Sequence, residues 1–70
     1  MNWFETPESS SIARFGYDGS ASILVVEFKK GYAYNYFDVP EALFEEMKNT
    51  ASKGQFLADR IKGVYRYARL

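Results

Sequence analysis

Seventy residues carrying nine basic and nine acidic side chains make a neutral chain, long enough for one domain and not for two. With no Cys and no His, it has no disulfide, no thiolate or imidazole metal ligand and no histidine general base. A net charge of zero gives no overall drive toward nucleic acid or an acidic membrane.

Residues 1–11 hold Pro7 and the run Ser9-Ser10-Ser11, and read as an extended lead-in in which Trp3 and Phe4 dock on the body, with a short added strand as an option. Ile12 to Tyr17 is the first strand, and Gly16 inside it signals a bulge or a close backbone approach. Asp18-Gly19-Ser20 is a turn. Ser22 to Phe28, rich in β-branched and large apolar residues, is the second strand. Lys29-Lys30-Gly31 closes a hairpin with Gly31 in the left-handed region. That turn sets Phe28 opposite Tyr32, Val26 opposite Tyr34 and Leu24 opposite Tyr36 on one face. Ile23, Val25, Glu27, Ala33, Asn35 and Phe37 take the other face, and a turn shorter by one residue would mix the two sets.

Asp38-Val39-Pro40-Glu41 predicts a helix start, with Asp38 as cap and Glu41 three residues on. The helix runs to about Thr50, with Leu43 and Met47 an i,i+4 pair on its inner stripe. Ser52 and Gln55 repeat the start signal for a second helix to about Ile61, ended by Lys62-Gly63. Val64 to Leu70 alternates and reads as an ordered extension, with a short final strand or a helical end as the alternatives.

This order predicts a single α+β domain: a three-stranded antiparallel β-meander followed by two short helices packed on one sheet face. The aromatics, 19% of the chain, supply large buried areas per residue, which a domain this small needs. Ile23, Val25, Ala33 and Phe37 are then left on the open sheet face, an apolar patch and a candidate interface. Charge is uneven along the neutral chain: residues 53–70 hold Lys53, Arg60, Lys62, Arg66 and Arg69 against Asp59 alone. No export signal and no apolar run of membrane-spanning length is visible, which points to the cytoplasm.

Several residues together resemble the KTSC family. They are Ser10-Ser11-Ile12, Gly16-Tyr17-Asp18, Leu24, Val26-Glu27-Phe28, Gly31, the central Tyr34-Asn35-Tyr36, Val39-Pro40, Ala51-Ser52-Lys53-Gly54, Phe56, Ile61 and Tyr65. The resemblance covers residues 9–67, with 1–8 as lead-in. The family takes its name from a domain at the C-terminus of some lysyl-tRNA synthetases and also occurs as free-standing small proteins in bacteria and phages. It implies RNA binding by the company the domain keeps, and it brings no catalytic residues.

The candidate contact residues divide into two groups. Tyr34, Asn35 and Tyr36 lie on the central strand, and with Tyr32 the two tyrosines form a row suited to stacking bases. The competing and favoured role for the tyrosines is core packing under the helices. Asn35 is either an exposed strand residue or a hydrogen-bonding contact. Arg60, Lys62, Tyr65, Arg66 and Arg69 form the second group, bases interleaved with aromatic rings, for which a solvated face is the ordinary alternative.

No cofactor, metal site or catalytic constellation is legible, so the chain reads as a binding module and not an enzyme. RNA or a nucleotide is the first candidate ligand. The alternative is self-association or docking on another protein through the open sheet face, as in a phage-derived module.

Overall fold

The alternating apolar pattern of the central hairpin builds the middle of a five-stranded sheet. The computed structural model describes residues 1–70. Its elements are β1 (Asn2–Glu5), β2 (Ile12–Asp18), β3 (Ile23–Phe28), β4 (Ala33–Tyr36), α1 (Glu41–Asn49), α2 (Lys53–Phe56) and β5 (Tyr67–Arg69). The strands lie in the order β1-β2-β3-β4-β5, every neighbouring pair antiparallel. The domain is thus α+β, as expected, and its sheet is wider than the three predicted strands. The lead-in pairs with β2 and the C-terminal extension pairs with β4.

Register in the hairpin is the predicted one. Leu24 lies opposite Tyr36 and Val26 opposite Tyr34. The Phe28 N–H donates to the Tyr32 carbonyl at 2.8 Å, and Gly31 has φ +99°. A Cβ at Gly31 would meet nothing, so the backbone angle alone calls for glycine. Gly16 serves the other purpose foreseen for it. A Cβ there would stand 2.8 Å from Trp3 Cε3 and 2.9 Å from the Asn2 carbonyl, so its missing side chain lets β1 and Trp3 close down. The bulge in β2 falls between Ile12 and Arg14 instead.

The start of α1 departs from expectation. Pro40, not Asp38, is the N-cap, and no side chain caps the helix. Asp38 sits two residues too far upstream for its carboxylate to reach the first free amides, and it takes φ +59° in the turn out of β4. Ser52 does cap α2, its hydroxyl accepting from the Gln55 N–H at 3.3 Å. After Phe56 the helix widens into a π-helical stretch, Leu57–Ile61, which the Lys62 N–H closes by donating to the Leu57 carbonyl.

The core forms on the helix side of the sheet. Ile12, Phe15, Tyr17, Leu24, Val26 and Tyr36 meet Val39, Phe44, Met47, Leu57 and Ile61 there. Phe44 of α1 packs on Phe4, Phe15 and Tyr17, all from β1 and β2. No helix is long and apolar enough to cross a membrane.

Candidate functional site

Residues opposite one another in antiparallel strands share a face. The β3-β4-β5 register therefore places Tyr34 and Tyr36 on the core side together with Arg69 and Tyr67, their partners in β5. Phe44 of α1 bears on β1 and β2, at the other end of this face, so the tyrosine row is only partly covered. Tyr36 is 1% exposed, Tyr32 and Tyr34 are half-buried, and Tyr67 is 61% exposed. Tyr34 and Tyr67 stack with centroids 5.4 Å apart and planes 7° from parallel. Tyr32 extends the row, 5.0 Å from Phe28 and 5.8 Å from Tyr34.

Two cations border this aromatic face. The Arg69 guanidinium lies 4.7 Å from the Tyr32 ring centroid, and the Lys62 ammonium lies 5.9 Å from that of Phe28. A cleft of about 410 Å³ opens on this face beside Lys62, lined by Tyr34, Tyr36, Tyr67, Lys62 and Gly63. Burial, reinforced by the neighbouring tyrosines, pushes the Tyr36 phenol up to about 12. The cleft is therefore floored by a neutral hydroxyl, walled by stacked rings and edged by an ammonium.

The family model for the KTSC domain matches residues 8–65. This chain belongs to the KTSC family. A KTSC domain protein from Yersinia pestis has a crystal structure that superposes with a TM-score of 0.86 at 31% identity, covering 99% of both chains. A protein from Tsukamurella paurometabola is 35% identical over 63 residues, covering 90% of this chain and 94% of that one. The lysine–tRNA ligase of Trichormus variabilis is 41% identical over 64 residues, which is 91% of this chain. The chain spans only 11% of that ligase's length.

Within this KTSC domain the predicted contact residues do not converge on one surface. Tyr34, Tyr36, Lys62 and Arg69 meet at the aromatic face. Arg60 is turned to α1, where its guanidinium reaches Glu46 at 3.2 Å and lies 5.4 Å from the Phe56 ring. Arg66 reaches Asp38 at 2.6 Å and lies 5.6 Å from the Phe37 ring. Tyr65 is half-buried against the core. The alternation of the extension and the turn at Gly63 (φ +79°) send successive bases in different directions. Lys29 at the hairpin tip is also engaged, donating to the carbonyls of Pro7 and Ser9. Ser9 Oγ accepts from the Ser11 and Ile12 amides, a turn-forming use of the serine run.

The open face of the KTSC sheet is less apolar than the sequence suggests. Val25, assigned to an exposed interface, is 7% exposed. It shares a cross-strand row with Gly16 and Trp3, and the Trp3 ring lies over Gly16. The Arg14 guanidinium lies 3.9 Å from the Trp3 ring and donates to both Glu27 oxygens at 2.9 and 3.0 Å. That pairing holds the Glu27 carboxyl below its ordinary range. Ile23, Ala33 and Phe37 are half-buried. Asn35 also lies on this face, between Val25 and Ala68, with its Oδ1 buried and unpartnered. The pairing of Tyr67 with Tyr34 and the place of Gly63 in the cleft are absent from the sequence reading. The Tyr65, Tyr67, Arg69 alternation was the signal that pointed to them.

Proposed function

We propose that this domain binds single-stranded RNA on its tyrosine face, as a binding module without catalysis. The observation that carries the reading is the parallel Tyr34–Tyr67 stack, with Tyr67 61% exposed at the edge of the sheet. An exposed ring offers a base a flat surface, and such stacking is worth about 1–3 kcal/mol per base. Arg69 and Lys62 border those rings and supply cations for a phosphate backbone. Further support comes from relatives named lysine–tRNA ligase, proteins that act on an RNA and contain a stretch 41% identical to this chain.

Fluorescence anisotropy with a labelled oligouridylate tests the reading. Tyr67→Ala weakens binding by roughly 5- to 150-fold, the loss of one stacked base. Arg66→Ala, a change on the Asp38 side, leaves affinity within about twofold. No measurable binding, or an unchanged affinity in Tyr67→Ala, overturns the proposal.

The second reading is self-association through the open face. Ile23, Ala33 and Phe37 are half-buried there, and they lie outside the set of hydrophobics packed on the core. It predicts a light-scattering mass above the 8.1 kDa of one chain, restored toward that value by Phe37→Asp. A wild-type mass of one chain at high concentration sinks it.

A further inference from the structure

The Tyr36 side chain is the most buried polar group at the tyrosine face, and its hydroxyl is unused. Its residue is 1% exposed, yet it lines the cleft with Tyr34, Tyr67, Lys62 and Gly63. Among the tyrosine hydroxyls only that of Tyr17 has a partner within the chain, the Val39 carbonyl at 2.6 Å. The Tyr36 hydroxyl therefore reaches the cleft with its hydrogen-bonding capacity open to a ligand. The cleft volume of about 410 Å³ lies in the range of small-molecule sites, roughly 300–1,000 Å³.

The chemistry of the lining narrows the ligand. The Tyr34 and Tyr67 rings stack on each other, and Tyr67, 61% exposed, offers a flat unsaturated ring a surface at the edge of the cleft. The Lys62 ammonium can only donate, and the Tyr36 phenol, neutral at ordinary pH, brings a hydroxyl to the same cleft. The hydroxyl can donate or accept, so it is the ammonium that selects an edge that accepts. A carbonyl oxygen with two lone pairs satisfies both, whereas an exocyclic amino group would set donor against ammonium.

We propose that this cleft receives one unstacked keto base of single-stranded RNA, with O4 of uracil or O6 of guanine, the position at which cytosine and adenine carry an amino group, facing the Tyr36 hydroxyl and the Lys62 ammonium. The proposal rests on the RNA reading above and adds base selectivity to it. Uracil and cytosine share their ring size and the C2 carbonyl and differ at position 4, carbonyl against amine, so they form the direct comparison.

The test is anisotropy with oligouridylate and oligocytidylate of equal length, using the wild-type chain, Tyr36→Phe, Lys62→Gln and Tyr67→Ala. The wild type binds the uridylate about tenfold more tightly, the scale of one well-made hydrogen bond to a desolvated group. Tyr36→Phe removes one oxygen and brings the two affinities within about twofold of each other. Lys62→Gln, at an exposed position that leaves the core intact, lowers the preference as well and carries the test should Tyr36→Phe fold poorly. Equal wild-type binding of the two oligomers overturns the pocket, as does a preference that survives both substitutions. If Tyr67→Ala still weakens both oligomers in that case, the RNA reading stands without the pocket. If Tyr67→Ala is silent, the RNA reading falls with it.

Discussion

The Tyr17 hydroxyl donates to the Val39 carbonyl at 2.6 Å, and the Val39 N–H donates to the Ser22 carbonyl at 3.0 Å. Val39 is fully buried, so these two bonds satisfy a backbone that water cannot reach. They explain why a tyrosine in β2 and the Val39-Pro40 pair belong to one pattern: the first holds the chain where α1 begins. Tyr36 makes the opposite use of the same side chain, burying its ring and leaving its hydroxyl free. Its raised pKa has a consequence for stability. An unfolded Tyr36 ionises near the ordinary value of 10, while the folded one holds its proton to about 12. The folded state binds the extra proton between those values, so this contribution is complete below pH 10 and falls as pH rises from 10 to 12, by up to about 1.4 kcal/mol per pH unit. Urea denaturation of wild type and Tyr36→Phe across that window checks it: the variant loses this part of the alkaline decline.

At the scale of elements, the link from β4 to α1 shows how a correct local signal can be assigned the wrong task. Asp38 is an apt capping residue by type, and a helix does begin nearby. Pro40 fixes the register of that start, leaving Asp38 in a turn at φ +59° with its carboxylate on Arg66. Left-handed backbone is tolerated by Asp and disfavoured for residues with a plain Cβ. Asp38→Ala therefore destabilises by about 1 kcal/mol, and Asp38→Gly costs clearly less although it removes the same ion pair. Thermal or urea unfolding of the two variants separates backbone strain from charge. Strands β3 and β4 were legible because their periodicity, hairpin turn and glycine agree with one another. Strand β5 was legible only as one option for Val64 to Leu70: three residues carry too little periodic signal to decide it, and their register comes from β4, as in the Leu70 N–H donating to the Ala33 carbonyl at 2.8 Å.

The whole molecule disposes of its charge in a way the linear order conceals. Residues 53–70 have a surplus of bases, but Arg60 pairs with Glu46 and Arg66 with Asp38. Only Lys62 and Arg69 border the tyrosine face. Single-stranded RNA bound there as proposed would release few counterions. Two phosphate contacts give a slope of log affinity against log salt of about −1.4, shallow for a nucleic-acid binder. Salt titration of the anisotropy measures it. A slope near −3 would mean that four cations engage the strand, and with it that Arg60 and Arg66 leave their partners. The interaction is thus expected to draw mainly on stacking, which suits a chain with no net charge.

The sequence by itself determined the α+β class, the central hairpin with its register, the Ser52 cap and the family, because each rests on local geometry: side-chain period, turn chemistry and capping distance. Only the tertiary structure decided the width of the sheet, the burial of Val25, the dispersal of the bases and the division of the tyrosines between core and surface. Those depend on which segments pack against which. One buried ring, Tyr36, and one exposed ring, Tyr67, are alike in sequence, and they differ because the helices lie over one end of the sheet and leave the other open.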